Sequence, residues 1–201
     1  MKLIKTSFEI THITENPLEK IEYAARDCYQ SQDRIESGSS KIMVANLIKR
    51  GHEAMLEFAD MTVRFTCDRG ISHELVRMRL CSFAQESQRY VDSKDSGVPY
   101  IKPGKIEEDS EAFKILQDSV AYSEEQYNKL RNLGLKPEVA RSVLPNCTAT
   151  HINMKANFRE WRHIFKLRTS KVAHSDMRVL MISLLEEAKT KVPILFDDIM
   201  Y

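Results

Sequence analysis

The sequence predicts an α+β domain in which a central antiparallel sheet is flanked by helices. Segments rich in β-branched and aromatic residues, such as residues 58–67, lie between longer stretches with helical periodicity. The elements do not alternate regularly between strand and helix, as a doubly wound parallel sheet requires, so antiparallel pairing is favoured. The 201 residues contain no internal repeat and no long linker, so we expect residues 1–201 to form a single domain.

The order of the predicted elements follows from periodicity and from breakers such as proline and glycine. In the first half they are a strand at 1–12, a helix opened by Pro17 with Cys28 on its apolar stripe, a loop at 33–40, a helix at 41–50 ended by Gly51, a strand at 58–67 and a helix at 71–80. In the second half they are a loop at 93–104, a charged helix at 107–132, a short helix between Pro137 and Pro145, a strand at 147–154 and helices at 157–168 and 174–191.

Overall composition narrows the class of function. Thirty Lys and Arg against 29 Asp and Glu give a formal charge of +1, so no global charge favours nucleic acid or an anionic membrane. The amino-terminal residues alternate between polar and apolar, unlike a signal peptide, and no stretch approaches the roughly 18 apolar residues of a membrane span. We therefore expect a cytoplasmic protein, with no nucleic acid and no membrane as partner.

Common metal and nucleotide motifs are missing from the sequence. The four cysteines form no CxxC pair, which argues against both a zinc site and a disulfide scaffold. There is no HExxH and no histidine pair at metal spacing, so we expect no catalytic metal. The six glycines form neither GxGxxG nor GxxxxGK[ST], which excludes a Rossmann or P-loop nucleotide site. A flavin would have to be held in another way.

Residues 74–90 concentrate three arginines, Arg77, Arg79 and Arg89, among carboxylate and hydroxyl side chains. Guanidinium groups bind phosphate bidentately and also face carbonyls and rings, so the cluster suits a nucleotide. On one continuous helix, Arg77 and Arg79 would project about 200° apart. Either the helix ends between them, or the two arginines serve different ligands or neighbouring subunits. A solvated basic face is the structural alternative.

Residues 157–168 predict a helix that buries an apolar stripe around Trp161. Asn157 followed by Glu160 resembles a capping box at its start. Arg168 lies seven residues after Trp161 and so falls within about 20° of the stripe. A guanidinium directed at a buried face is costly unless it meets an anion or an acceptor, which makes Arg168 a pocket candidate. Snorkelling past the helix end is the alternative.

Taken together, these blocks resemble the flavin-dependent thymidylate synthase family over about residues 15–190. The family's Arg-His-Arg signature and following serine correspond to Arg77-Met78-Arg79 with Ser82, Ser87 and Arg89-Tyr90. The remaining blocks are Gly51-His52-Glu53 with Glu57-Phe58, the Ala140-Arg141 to Leu144-Pro145 segment, and Asn157, Arg159 and His163 with Leu167-Arg168. Several ordered blocks at the family's spacing are much more specific than any one of them.

The resemblance implies an enzyme that methylates dUMP to dTMP, with methylene-tetrahydrofolate as carbon donor and FAD, reduced by NADPH, as hydride source. It also implies the family's fold and a homotetramer whose active sites lie where subunits meet. The dUMP site would comprise Glu74, Arg77, Gln85, Glu86, Ser87, Gln88, Arg89, Arg141 and Arg168. The FAD site would comprise His52, Ala54, Arg77, Met78, Arg79, Gln85, Asn157, Arg159 and His163.

The resemblance also implies a route that needs no protein nucleophile, so the chain's tasks are orientation and charge stabilisation. We expect Arg168 to be catalytic by stabilising negative charge across N3 of the pyrimidine and its neighbouring carbonyl. Ser87 is expected to orient the nucleotide, and Cys81 to be structural. Met78 stands where the family usually has histidine; its side chain cannot donate a hydrogen bond, so Met78→His is expected to tighten FAD binding.

Other interpretations remain open at this point. The same flavin fold could methylate another pyrimidine nucleotide, such as UMP. The arginine and aromatic cluster could instead belong to a nucleic-acid-binding module, which the near-zero net charge disfavours. An inactive, flavin-poor homologue is suggested only by Met78.

Overall fold

The structure, a computed structural model, describes residues 2–94 and 96–201. Its strands are β1 (Lys2–Ile4), β2 (Ser7–Ile13), β3 (Asp60–Asp68), β4 (Ser82–Gln85), β5 (Pro99–Ile101) and β6 (Ala149–Asn157). Its α-helices are α1 (Pro17–Asp27), α2 (Ser39–Lys49), α3 (Arg69–Leu75), α4 (Glu111–Asn132), α5 (Pro137–Ala140), α6 (Phe158–Arg168), α7 (Ser175–Lys191) and α8 (Pro193–Phe196). Short 3-10 helices cover Gln32–Arg34, Glu53–Phe58 and Arg141–Val143.

Strands β2, β3, β6 and β4 form a four-stranded sheet in that order. Contacts along β3 and β6 run in opposite directions: Phe158 donates its backbone N–H to the carbonyl of Ala59 at one end, and Thr66 lies 3.0 Å from the ring of His151 at the other. Residue numbers therefore rise on one strand while they fall on the other, which is antiparallel pairing. The predicted α+β class, an antiparallel sheet flanked by helices, is confirmed.

The central strand β3 shows the period of two that predicted it. Met61, Val63, Phe65 and Cys67 are all fully buried, and the residues between them are half-buried. The prediction placed this strand at 58–67; the structure starts it two residues later because a 3-10 helix occupies Glu53–Phe58.

A second, two-stranded sheet was not predicted. Strands β1 and β5 pair in parallel, with Leu3 opposite Tyr100. Residues 99–101 fall inside the segment predicted as a loop, and that part of the prediction is wrong. Pro99 and Gly97 suggested a loop, but Tyr100 and Ile101 are 2% and 3% exposed, so burial of two large apolar side chains outweighs the local breakers.

The described residues group into two compact units. The first unit takes its residues from Met1–Ser7, Phe65–Arg77 and Phe83–Asn153, and the second unit from Phe8–Arg64, Met78–Ser82 and Met154–Tyr201. Strands β3 and β6 each contribute residues to both units.

Helix α6 supplies the core of the second unit. The predicted stripe is confirmed, because Trp161, Ile164 and Phe165 are fully buried. The indole N–H of Trp161 donates to the carbonyl of Met61 at 2.8 Å, and Phe165 packs edge-on against Phe196 with ring centroids 5.2 Å apart. Such ring pairs contribute about 0.5–1.5 kcal/mol beyond the buried area.

Two helix predictions need correction. Helix α3 was expected at 71–80, but it ends at Leu75 and begins at Arg69, because the Asp68 side chain accepts from the backbone N–H of Ile71 at 2.7 Å and so caps an earlier start. In α1, Cys28 was expected on the buried stripe but is exposed just past the helix end. Apolar periodicity alone did not reveal either local cap.

Helix α4 carries seven charged side chains among its 22 residues and ends at Asn132, as predicted. It begins at Glu111 rather than 107, because the hydroxyl of Ser110 accepts from the backbone N–H of Phe113 at 3.1 Å. Within residues 2–94 and 96–201, none of the helices has both the length and the apolar character needed to cross a membrane.

The segment that follows β4 is held to α4 by Asp92. The Asp92 carboxylate accepts from Arg131 through Nη2 at 2.6 Å and Nε at 3.0 Å, and from the Tyr127 hydroxyl at 2.8 Å. The same hydroxyl accepts from the backbone N–H of Ser93 at 3.3 Å. The hydrogen bond from Arg131, more than any other contact, lowers the pKa of Asp92 to about 2.

We predict that Asp92→Asn lowers the free energy of unfolding at neutral pH, because the asparagine loses the charged contact with Arg131. A carboxylate whose folded pKa is depressed stabilises the fold above its unfolded pKa of about 3.9 and loses that contribution as pH falls towards 2. The difference between wild type and variant should therefore shrink between about pH 4 and pH 2. Urea unfolding across this range measures it, with exposed Asp109→Asn as control. A difference that stays constant with pH would contradict the assignment.

Candidate functional site

The predicted site residues divide between the two units. Glu74, Arg77, Gln85, Glu86, Ser87, Gln88, Arg89 and Arg141 lie in the first unit. His52, Ala54, Met78, Arg79, Asn157, Arg159, His163 and Arg168 lie in the second unit.

In the first unit, Gln85 ends β4 and is fixed by two hydroxyls. Its Nε2 donates to Ser72 Oγ at 2.9 Å and to Thr150 Oγ1 at 3.2 Å. The next residue, Glu86, donates its backbone N–H to the carbonyl of His151 at 2.9 Å. The backbone that enters the predicted nucleotide segment is therefore set by strand pairing.

Ser87 then turns the chain. Its hydroxyl accepts from the backbone N–H of Arg89 at 3.2 Å, and its carbonyl accepts from Tyr90 and Val91. The turn leaves the Arg89 side chain exposed, with Nε donating to Glu138 at 3.2 Å and the guanidinium 5.4 Å from the ring centroid of Tyr90. An exposed ion pair of this kind contributes about 0–1 kcal/mol, so a ligand anion can replace Glu138 at little cost.

Arg69 joins this group although the sequence analysis did not select it. Its Nη1 is buried and has no hydrogen-bond partner in the part of the chain that the structure describes. Burial and the neighbouring Arg141 lower the pKa of the Arg69 guanidinium, and Glu86 opposes them. A buried N–H without an acceptor is costly, so a bound anion would relieve both the missing bond and the repulsion between the arginines.

No local pattern in the sequence marks Arg69. It stands at the junction of β3 and α3, where Asp68 caps the helix, and the adjacent Gly70 fits closely against that cap: a Cβ there would lie 3.1 Å from the Asp68 carboxylate. This junction fixes the backbone from which the Arg69 side chain starts, and the missing acceptor at its buried Nη1 is a property of the three-dimensional surroundings.

The two signature arginines do not belong to one helix. Helix α3 ends before Arg77, whose backbone N–H donates to the carbonyl of Glu74 at 3.3 Å. Both Arg77 and Arg79 are exposed, each in its own unit, and Met78 between them is only 8% exposed. The buried thioether packs as an apolar side chain, so Met78→His would bring a polar ring into a buried position, and the expected gain in flavin affinity stays a prediction.

In the second unit, three predicted flavin residues line one open cavity of about 600 Å³. Helix α6 supplies most of its wall, and Asn157 begins that helix by accepting from the backbone N–H of Glu160 at 2.8 Å. The lining side chains are Glu53, Glu57, Leu80, Asn157, Arg159, Glu160, His163 and Lys166. His52 and Ala54 are exposed on either side of Glu53.

Charges of both signs face this cavity. Arg159 Nη1 lies 2.6 Å from Glu57, and both side chains are about half exposed. Glu160 is buried; desolvation raises its pKa, and nearby His163 opposes the rise. Arg168, in the last turn of α6, is half-buried and is not among the side chains that line this cavity. The cavity therefore offers cationic and hydrogen-bonding groups to a polar ligand and keeps one buried carboxyl beside them.

Three of the four cysteines are poor nucleophiles. Burial, followed by the charge of Glu160, raises the pKa of Cys81 to about 12. Burial also raises the pKa of Cys67 to about 12, and that of Cys147 in the same direction. A thiol in this state carries almost no thiolate near neutral pH. The structural role expected for Cys81 agrees with this chemistry. Among residues 2–94 and 96–201, the acidic, histidine and cysteine side chains form no cluster suited to a metal ion.

Comparison with known proteins gives one consistent family. A family model described as "Thymidylate synthase complementing protein" matches residues 9–194. The flavin-dependent thymidylate synthase of Corynebacterium aurimucosum is 34% identical over 89% of this chain and 78% of its own length. The protein of the same name from Geobacter sulfurreducens is 31% identical over 92% of this chain and 83% of its own length.

A solved structure shares the fold. The UMP/dUMP methylase PolB from Streptomyces cacaoi, bound with 5-Br dUMP, superposes with a TM-score of 0.84. The match covers 98% of this chain and 96% of PolB at 21% sequence identity. At that identity the likeness concerns the fold.

We predict that inorganic phosphate raises the thermal midpoint of the wild-type protein more than chloride at equal ionic strength does. The reason is that phosphate supplies acceptors to Arg69 and screens it from Arg141. Arg69→Gln should lose most of this gain, and exposed Arg34→Gln should retain it. Equal phosphate responses in all three proteins, measured by differential scanning fluorimetry, would show that the first unit has no anion site at Arg69.

Proposed function

Because this chain belongs to the flavin-dependent thymidylate synthase family, we propose that it catalyses the reductive methylation of dUMP to dTMP. The carbon donor is methylene-tetrahydrofolate, and the hydride source is FAD reduced by NADPH. The observation that carries the proposal is the family match over residues 9–194, which includes every predicted site residue. We further propose that residues 1–201 act as one domain, in the cytoplasm.

The residues of the second unit fit a flavin dinucleotide in chemical type. The cavity of about 600 Å³ is lined by three glutamates as well as by Arg159, Lys166 and His163, which can donate hydrogen bonds to a pyrophosphate. Arg159 would exchange its half-exposed partner Glu57 for the ligand, and Asn157 stands at the start of α6. When bound, FAD supplies the reducing equivalents for the reaction. The proposed flavin residues are His52, Ala54, Arg77, Met78, Arg79, Gln85, Asn157, Arg159 and His163.

For the nucleotide, we propose that the first unit binds the phosphate. Arg141 and Arg89 are expected to hold the phosphate or the uracil, and the geometry adds Arg69 as a phosphate ligand, because its buried Nη1 needs an acceptor. Ser87 orients the nucleotide from its turn. The other proposed contacts are Glu74, Arg77, Gln85, Glu86, Gln88 and Arg168.

We assign Arg168 to charge stabilisation on the pyrimidine. Methylation at C5 requires an electron-rich ring, and a guanidinium beside N3 and its carbonyl stabilises the negative charge that the ring then carries. The raised pKa of Cys81 leaves it unsuited to attack a pyrimidine carbon. The chain's contribution is therefore to bind, orient and stabilise charge.

We also propose that the active form is a homotetramer in which neighbouring copies complete each site. The exposure of Arg77 and Arg79 at the end of α3 supports this proposal, because two exposed arginines separated by one residue can serve different copies. Size-exclusion chromatography with light scattering measures the assembly.

The central test uses the purified protein. We expect flavin absorbance, bleaching on addition of NADPH, and recovery of absorbance with formation of dTMP once dUMP and methylene-tetrahydrofolate are added. The same assay with UMP distinguishes the alternative pyrimidine substrate. A protein that binds FAD but turns over neither nucleotide would overturn the proposal.

We predict that Arg168→Ala lowers kcat by about 100-fold or more while FAD remains bound, because removal of one positioned charge-stabilising group typically costs 10²–10³ in rate. Exposed Lys171→Ala, three residues later, is the matched control and should leave kcat unchanged. Rapid-mixing kinetics measure turnover, and flavin absorbance measures bound FAD, so the two effects are determined separately. Near-normal dTMP formation by Arg168→Ala would remove Arg168 from the mechanism.

A further inference from the structure

A fully paired arginine lies in the second unit beneath the cavity that carries the predicted flavin residues. Arg162 is 1% exposed, and its guanidinium has five N–H donors. Nε donates to Glu53 at 3.1 Å, Nη1 to the carbonyl of Leu195 and to Asp198 at 2.6 Å each, and Nη2 to Asp198 at 2.7 Å with Glu53 3.0 Å away. The guanidinium thus makes four hydrogen bonds and a further close ion-pair contact with Glu53.

The two carboxylates come from distant parts of the chain and have different surroundings. Glu53 opens the 3-10 helix Glu53–Phe58, lines the cavity, and lies next to His52 and Ala54. Asp198 follows α8 near the carboxyl terminus, and its side chain is 48% exposed. Only Glu53 is among the cavity residues, so Asp198 contacts Arg162 from outside the cavity.

This geometry gives Arg162 a directional role. Its guanidinium is rigid and planar, so the bidentate contact with Asp198 fixes the orientation in which Nε and Nη2 meet Glu53. Glu53 in turn holds the start of the 3-10 helix against α6, the helix that carries Asn157, Arg159 and His163. Loss of Asp198 would let the guanidinium rotate and release Glu53.

We propose that Asp198, acting through Arg162 and Glu53, is a positioning residue for the flavin site, so that the carboxyl-terminal segment 193–199 controls FAD affinity without touching FAD. This inference rests on the proposed flavin site. It adds a residue outside the motif blocks and a segment that those blocks do not include.

Asp198→Asn tests the proposal, with Asp197→Asn as matched control. The asparagine keeps one oxygen as an acceptor but places an NH2 group against an N–H of Arg162. Because the Asp198 side chain is 48% exposed, the amide of the asparagine can rotate towards water, and we expect the variant to fold. Asp197 is exposed, and Asp197→Asn makes the same change in charge one residue away. By analogy with outer-shell residues of bound groups, we expect FAD affinity to fall about tenfold in Asp198→Asn and less than about twofold in Asp197→Asn.

Three further readouts distinguish positioning from general stability. At saturating FAD, the visible circular dichroism of the flavin should change in Asp198→Asn, and Asp198→Glu should restore much of the affinity. The effects of Asp198→Asn and Glu53→Gln on FAD affinity should not add in the double variant, because both act through one contact. Equal FAD affinity in Asp198→Asn and Asp197→Asn, or additive effects in the double variant, would overturn the inference.

Hydrogen exchange on the wild-type protein gives an independent test that needs no variant. FAD should slow amide exchange at 53–58 and also at 193–199. Slowing at 53–58 alone would overturn the inference but leave the proposed flavin site standing. A wild-type protein that binds no FAD would instead overturn the proposed function, so the two failures are distinguishable.

Discussion

The antiparallel pairing of β3 and β6 is the constraint on which the rest of the structure depends. Each strand ends on a residue whose side chain begins a helix: Asp68 caps α3, and Asn157 caps α6. Because the caps fix where each helix starts, they also fix Arg69, the first residue of α3, and Arg159, the second residue of α6. The position at which each strand ends therefore determines, through the helix cap, where the charged side chains of the following helix lie.

Much of the fold can be predicted from short-range patterns in the sequence. The alternation in β3, the stripe around Trp161 and the Asn157 cap all have short-range signals, and the structure agrees with them. The strand β5 has no such signal, since Pro99 and Gly97 suggest a loop until the burial of Tyr100 by distant residues is known. The secondary structure of such segments depends on burial by residues that are distant in the sequence, and that burial cannot be inferred from a single sequence.

The candidate site shows the same division. Motif spacing identified Asn157, Arg159 and His163, which line one cavity in the second unit. It did not identify Arg69, because a missing hydrogen-bond partner is a property of three-dimensional surroundings. Nor did it identify Arg162, whose hydrogen-bond acceptors lie between 33 and 109 residues away in the sequence. The net charge of the whole chain gives no indication of either arginine, because it sums the charges of all local clusters.

The distribution of thiols has a practical consequence for labelling. Cys67, Cys81 and Cys147 have raised pKa values and are buried or half-buried, whereas Cys28 is exposed just past α1. Since maleimides react with thiolate, conjugation near neutral pH should favour Cys28. The sequence thus provides an attachment point for a fluorophore or spin probe on the second unit, at a residue that does not line the cavity along α6, without engineering of cysteines.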